Sequence, residues 1–320
     1  MKLKIFLLLN LILIISCNEN LDPFGDFKEK YVLNCIVGAD TTFQVALLSK
    51  SYSSNNYDPY SDSTNHSVDN SLIRLWNGNE IVSILKDTII ERSEYDNYKN
   101  PYKVYYTNNF QPLPNSFVEI EAILPDGKKL RSSSVVPDKI IFKKELCDTI
   151  IPAKDRDYIK IVWNGNQQDQ VFVTRLGIYY FKYENGKKIR KIALVPQSYI
   201  FYNDEYIPDY PEPTNISAFS VNLEVINKTM ELISKGDPEK GNYEILSCIL
   251  EVLSLDENLS YYYNSTARGR DLYSVKLDET DYSNIQGGYG VFGIYNKSNY
   301  VLRFTHDYIR SFGYKPGLKL

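Results

Sequence analysis

The chain has 320 residues, a formal net charge of −4 and 43% hydrophobic residues, which is enough apolar material for packed cores. The first seventeen residues hold two of the 36 Lys and Arg residues and none of the 40 Asp and Glu residues, so the remainder carries a charge of −6. Nucleic-acid binding depends on clustered Lys and Arg against phosphate. This mildly acidic chain has no basic stripe, which argues against that function.

The N-terminal segment has the pattern of a bacterial lipoprotein signal. Two lysines precede the apolar run Ile5–Ile15, which is shorter than the roughly 20 residues of a membrane-spanning helix. Ser16 then precedes Cys17, where lipoproteins carry the thiol that receives a diacylglyceryl group. Because two or more acyl chains hold a protein stably, lipidated Cys17 would anchor it. We predict a signal peptide over residues 1–17; an ordinary cleaved signal with a chance cysteine is the alternative.

A polar tether, residues 18–30, leads into a predicted Ig-like or fibronectin-like β-sandwich, residues 31–137. Its clearest strand, Phe117–Ile123, alternates apolar and acidic side chains, and turns separate many short β-type runs. Pro137 closes this domain. The predicted strands are Tyr31–Gly38, Thr42–Lys50, Ser71–Trp76, Glu80–Leu85, Thr88–Glu91, Lys103–Thr107, Phe117–Ile123 and Lys128–Ser134.

One long polar segment interrupts these strands. Ser51–Asn70 is rich in Ser, Asn, Asp and Tyr and has almost no aliphatic residue, so we predict a loop. Long loops inside compact domains are usually functional or disordered. A second predicted loop, Tyr199–Pro213, is rich in Tyr, Asp and Pro. Whether the two loops share one binding edge is left open by the sequence.

Residues 138–320 are predicted to form a second β-sandwich domain, so the chain as a whole is predicted to be mainly β. Asn185-Gly186 is the strongest hairpin signal in the chain. The predicted strands are Ile140–Phe142, Tyr158–Trp163, Val171–Tyr183, Lys187–Val195, Ala218–Val225, Tyr243–Leu253, Tyr289–Tyr295 and Tyr300–Thr305.

Two short helices are predicted within this second domain. Ile226–Ser234 places three apolar residues on one face, and Gly236 and Pro238 follow it. Ser254-Leu-Asp-Glu257 has the spacing of a capping box, which would open a second helix carrying Leu259.

Few residues are suited to catalysis or metal binding. His66 and His306 are the only histidines, and we expect both at the surface or at a strand edge. Cys35, Cys147 and Cys248 are widely separated, with no C-x-x-C pair. Cys35 and Cys248 lie in apolar runs, which favours small buried side chains. We therefore predict no catalytic residues, no metal site and no cofactor.

Gly288-Tyr-Gly-Val-Phe-Gly293 matches the G-x-G-x-x-G pattern of dinucleotide-binding proteins. That fingerprint needs a helix after it and an acidic residue about 20 positions further on, whereas β-type residues follow here. We predict a conformational role instead, with glycines allowing a bend and a close backbone approach into a last hairpin.

Two acidic groups are weaker candidate sites. Asp278, Glu279 and Asp281 cluster beside Tyr282 and could bind Ca²⁺ or act as the carboxylates of a hydrolase. Asp58 and Asp62 lie in the first polar loop and are a weaker candidate for Ca²⁺. We favour solvated or turn-capping roles for these carboxylates. Four Asp-Ser/Thr triplets resemble a short O-glycosylation signal of Bacteroidota secreted proteins: Asp40-Thr-Thr42, Asp62-Ser-Thr64, Asp87-Thr-Ile89 and Asp148-Thr-Ile150.

Several motifs together resemble the Bacteroidota lipoproteins called domain of unknown function family 4249. The matching stretches span most of the chain after the signal: Cys17, Glu29–Asn34, Pro125–Gly127, Ile233–Asp237, Leu253–Asn258 and Ser283–Gly293. The resemblance implies an outer-membrane lipoprotein without assigned chemistry. It also implies a role as an accessory to uptake, because members are often encoded beside TonB-dependent receptors.

We therefore expect a lipid-anchored, non-enzymatic outer-membrane protein that works as a binding partner of a TonB-dependent uptake system. Glu19 and Asp22 are at most part of an acidic surface-export signal, so both faces of the membrane are considered. The alternative is a structural or adhesive surface lipoprotein of the fimbrial type. In that alternative, removing the C-terminal hairpin after Asn296 would abolish polymers.

Overall fold

The computed structural model describes residues 28–52, 64–78, 80–92, 101–165, 170–267 and 282–317. It is mainly β, as predicted. In these ranges, no helix is long and apolar enough to cross a membrane.

One large sheet runs through the molecule and contains strands from both predicted domains. Across the sheet the order is β12 (Lys187–Val195), β11 (Phe172–Glu184), β16 (Tyr243–Leu255), β17 (Phe292–Phe304), β1 (Tyr31–Gly38), β2 (Gln44–Lys50), β6 (Tyr102–Thr107) and β5 (Lys86–Ile90). Two short strands extend it, β9 (Ile150–Ile151) beside β17 and β18 (Lys315–Pro316) beside β16.

Three smaller sheets, three α-helices and two short 3-10 helices, Lys144–Leu146 and Lys240–Asn242, complete the described part. A four-stranded sheet has the order β4 (Glu80–Ile84), β3 (Leu72–Asn77), β7 (Phe117–Ile123) and β8 (Lys129–Val135). The two-stranded sheets are β10 (Tyr158–Val162) with β15 (Ala218–Asn222), and β13 (Ser198–Tyr202) with β14 (Glu205–Asp209). The helices are α1 (Leu223–Leu232), α2 (Glu257–Ala267) and α3 (His306–Ser311). The first two were predicted, and the third was not.

The first core is a β-sandwich between the four-stranded sheet and one end of the large sheet. Alternate residues of the strands point inward, which is why Val118, Ile120 and Ala122 of β7 are fully buried. Leu33 and Cys35 of β1 face them from the large sheet. Burial raises the pKa of the Cys35 thiol to about 12, consistent with the predicted role as a small buried side chain.

The second core lies under the other end of the large sheet. The β10–β15 pair and the helices α1 and α3 cover β11, β16 and the last part of β17. Trp163, Ile226 and Ile309 come from the covering layer, and Cys248 and Leu302 come from the sheet. Cys248 is fully buried, as predicted.

β17 connects the two cores and corrects the prediction of two strands, Tyr289–Tyr295 and Tyr300–Thr305. It is one strand of 13 residues, Phe292–Phe304. Its first residues pair with β1 in parallel, and Tyr295 to Leu302 pair with β16 antiparallel. Asn296 to Asn299 resemble a turn in sequence, but Asn296 is fully buried and its amide donates to the Pro137 carbonyl. Side chains of this one strand therefore enter both cores.

The glycines before β17 permit the close backbone approach that was predicted, although no hairpin follows. Gly290 has φ +115°, and a Cβ there would lie 2.0 Å from the Leu33 carbonyl oxygen. A Cβ on Gly288 would lie 2.6 Å from the Tyr31 carbonyl oxygen. Only glycine fits such a conformation and such spacing. The parallel pairing of β17 with β1 depends on this contact.

Asp256 joins three elements beside this contact. Its Oδ2 accepts from the Ser134 hydroxyl of β8 at 2.5 Å and from the Ile294 amide of β17 at 2.7 Å. Its Oδ1 accepts from the Leu259 amide at 2.8 Å, so Asp256 is the N-cap of α2. The predicted cap at Ser254 is wrong because that residue is still part of β16.

One predicted strand is nearly absent. Ile140–Phe142 makes only an isolated bridge between Phe142 and Trp163. α3, which the sequence pattern did not predict, is a short helix whose N-cap Thr305 accepts from the Tyr308 amide. Six residues carry too little periodicity to be detected.

We predict that the free energy of unfolding of the wild type, measured relative to that of Asp256→Asn, falls as the pH rises from 4 to 7. Burial raises the pKa of Asp256 from 3.8 to about 6 despite hydrogen bonds that lower it. Below pH 3.8 the Asp256 carboxyl is protonated in both the folded and the unfolded chain. Between pH 3.8 and pH 6 it ionises only in the unfolded chain, so the free energy of unfolding falls over this range. The expected loss between pH 4 and pH 7 is roughly 2 kcal/mol.

Urea unfolding of both proteins at pH 4 and pH 7 measures this change. Asn cannot titrate, so any constant cost of the substitution cancels between the two pH values. A difference in unfolding free energy that stays the same at both pH values would contradict the prediction.

Candidate functional site

The segment Tyr199–Pro213, predicted to be a loop, contains a β-hairpin that extends from the second core. β13 and β14 pair with each other over Ser198 to Asp209, and no other strand of the described chain joins them. Asn203 and Asp204 form the turn with φ of 49° and 60°. Positive φ at both central residues is the type I′ geometry of two-residue hairpins. We call Ser198–Tyr210 the aromatic hairpin.

Contacts with α1 hold one face of the aromatic hairpin. The hydroxyls of Tyr199 and Thr229 lie 2.9 Å apart, and the Thr229 hydroxyl donates to the Val225 carbonyl. Since Thr229 has one hydroxyl proton, Tyr199 is the donor between them. The Lys228 ammonium lies 3.9 Å from the centroid of the Tyr206 ring, a cation–π contact. Burial raises the pKa of the Tyr199 hydroxyl.

The outer part of the aromatic hairpin exposes large apolar side chains on both faces. Their exposed fractions lie between 46% and 62%. The Phe201 and Tyr206 rings lie 5.0 Å apart, so they form a shared surface rather than isolated side chains. The exposed set is Ile200, Phe201, Tyr202, Tyr206, Ile207 and Tyr210.

The aromatic hairpin itself carries acidic side chains and neither Lys nor Arg. The chain has no Lys or Arg between Lys191 and Lys228. The intervening acidic residues are Asp204, Glu205, Asp209, Glu212 and Glu224. Lys228, the next cation along the chain, contacts the Tyr206 ring from α1 and also pairs with Glu231 at 3.2 Å. The exposed surface is therefore both aromatic and acidic.

A cleft of about 520 Å³ separates the aromatic hairpin from α1. Ser198, Tyr199 and Tyr206 line one side, and Glu224, Val225, Asn227, Lys228 and Glu231 line the other. Its volume falls within the range of small-molecule sites, which are usually more apolar than this one. The cleft gives the base of the hairpin a polar wall.

A second cleft, of about 450 Å³, lies beside β2 and β6 at the other end of the large sheet. Tyr52 and His66 stack there with ring centroids 4.1 Å apart. Lys50 pairs with Glu29, and Lys103 pairs with Asp69 and Asp87, so much of its basic charge is already neutralised.

β12 leads into the aromatic hairpin and β2 leads into the polar loop, and the pairings make these two strands run in the same direction. Both regions therefore begin at the same end of the large sheet, five strand spacings or roughly 24 Å apart. Residues 53–63 of the polar loop lie outside the described residues.

Most of the candidate residues predicted from the sequence lie outside the described residues. These are Cys17, Asp58, Asp62, Asp278, Glu279 and Asp281. His306 begins α3 and is exposed, as expected. Of the Asp-Ser/Thr triplets, Thr88 and Thr149 are exposed, and Thr41 is half-buried. Within the described ranges, no three His, Cys, Asp or Glu side chains are grouped to hold a metal ion.

A scan against protein-family models and a search of curated proteins both found no match for this chain. The functional argument therefore depends on the residues themselves. The aromatic hairpin was missed by the sequence pattern because Pro208 and the Asn-Asp turn are weaker strand and hairpin signals than Asn-Gly. The sequence feature that could have pointed to this surface is the high density of aromatic residues in a stretch that contains no Lys or Arg.

We predict that Tyr199→Phe loosens the aromatic hairpin without unfolding the protein. The substitution removes only the hydroxyl that donates to Thr229, which is worth about 1 kcal/mol. Amide hydrogen exchange over Ser198–Asp209 should become roughly five times faster. Tyr202→Phe is the matched control, because Tyr202 is 62% exposed and no hydroxyl contact is described for it. Equal exchange in the two variants would contradict the prediction.

Proposed function

We propose that this protein is a non-enzymatic, lipid-anchored binding protein of the outer membrane, acting as an accessory to a TonB-dependent uptake system. The signal ending at Cys17 and the resemblance to family 4249 support the compartment and the partner system. The observation that carries a binding role is the aromatic hairpin, whose six large apolar side chains are exposed beside acidic ones. Exposed apolar surface of this kind marks interaction sites.

The buried carboxylates of the described chain have structural partners, which favours binding over catalysis. Asp256 caps α2 and joins β8 to β17. Glu121 accepts from Arg74 and Arg131 across the four-stranded sheet. Burial opposes ionisation of Glu121, but the two guanidinium groups hold its pKa below the usual range.

The sheet order favours the binding role over the fimbrial alternative. A strand that is exchanged between subunits has to leave its own sheet, and β17 lies between β16 and β1. The outer edges of the large sheet are β12 and β5. Lys187, Lys188, Arg190 and Lys191 lie on β12, and charged residues on an edge strand oppose strand addition.

Purification from outer membranes solubilised in mild detergent tests the proposal. We expect a TonB-dependent β-barrel receptor to be recovered with the tagged protein in near-equal amount. Recovery of the tagged protein without a β-barrel receptor would contradict the proposal. A Cys17→Ala variant should give uncleaved or soluble protein because it lacks the acyl acceptor, and its unchanged detergent partitioning would contradict the anchor.

A further inference from the structure

We infer that the aromatic hairpin inserts into an apolar groove of a partner protein, and that Lys and Arg side chains border this groove. This inference deepens the proposed function and rests on the protein's role as a binding partner. It assigns the contact to Phe201, Tyr202, Asp204 and Glu205 at the tip, while Tyr199 at the base remains attached to α1.

The shape of the aromatic hairpin suits insertion. A strand of five residues spans about 17 Å, and no other strand of the described chain pairs with either edge of the hairpin. Isolated two-stranded hairpins are marginally stable, and the contacts with α1 hold this one in place before any partner binds. A preformed element loses less conformational entropy on binding than a disordered segment does.

The apolar side chains define the centre of the contact. Scattered exposed apolar residues are normal, but here six occur between Ile200 and Tyr210 and cover both faces of the hairpin. Tyr and Phe are enriched at the centres of protein interfaces, where a few aromatic residues supply most of the binding energy.

The charge decides between classes of partner. Anionic membrane surfaces and nucleic acids attract Lys and Arg, and the stretch Ile192–Asn227 contains neither. Asp204 and Glu205 at the tip would be repelled by lipid headgroups or phosphates of the same sign. A protein groove bordered by Lys and Arg would be attracted to them, and such complementarity accelerates association.

Photo-crosslinking in intact cells tests the inference without assuming which protein is bound. A photoreactive amino acid replaces Phe201 in one variant and Ile89 in a control, since both side chains are about 60% exposed. We expect the Phe201 probe alone to give a discrete protein adduct. The crosslinked peptide should lie in an apolar surface bordered by Lys or Arg. Adducts with lipid or glycan only, no adduct, or a peptide from an acidic surface would each overturn the inference.

Binding kinetics with the crosslinked protein, once identified and purified, complete the test. Phe201→Ala with Tyr202→Ala should weaken affinity roughly 30-fold, mainly through faster dissociation. Asp204→Asn with Glu205→Gln should slow association several-fold at low salt and flatten its salt dependence. Ile89→Ala should leave both rates within a factor of two. Unchanged affinity of the double alanine variant, or unchanged salt dependence of the neutral variant, would overturn the inference.

The two proposals can fail separately. A crosslink to a basic groove on a protein unrelated to TonB-dependent receptors would support the hairpin contact and contradict the proposed uptake role. A receptor complex whose affinity is unchanged by the tip substitutions would support the uptake role and contradict the hairpin contact.

Discussion

The approach of Gly290 to the carbonyl group of Leu33 allows β17 to lie beside β1. Any side chain at position 290 would occupy the space of that carbonyl oxygen, and φ of +115° suits glycine alone. Backbone hydrogen bonds from Leu33 to Tyr289 and from Cys35 to Val291 then begin the parallel pairing. Asp256 holds the same junction from the other side through Ser134 and Ile294. Both cores depend on the strand that this junction positions.

The shared sheet gives a stiff connection between β1 and the aromatic hairpin. β1 is the first strand of the described chain, β12 leads into the hairpin, and both belong to one sheet. A continuous hydrogen-bonded ladder connects them, so the hairpin has a fixed place relative to β1. Two domains on a flexible linker would instead present it in many orientations.

Local patterns predicted the local structure, and the failures share a physical cause. The alternation of Phe117–Ile123 and the Asn185-Gly186 turn predicted the strands they specify, because both signals act between near neighbours in sequence. The pairing of β1 with β17 joins residues more than 250 positions apart, and no local pattern encodes it. Asn296 to Asn299 have a turn-like sequence, but pairing with β16 holds them in an extended strand. The aromatic hairpin was missed because Tyr and Pro fit both loops and strand edges.

The most direct test of the shared strand β17 is whether the two cores unfold together as one cooperative unit. The chain has two tryptophans: Trp76 lies in the four-stranded sheet, and Trp163 is fully buried in the second core. Fluorinated tryptophan gives each a separate ¹⁹F NMR signal without any substitution, and urea titration follows both in one sample. The shared strand β17 predicts that the two signals have the same unfolding midpoint and the same slope. Two separate midpoints would show that the cores unfold independently and would contradict the account.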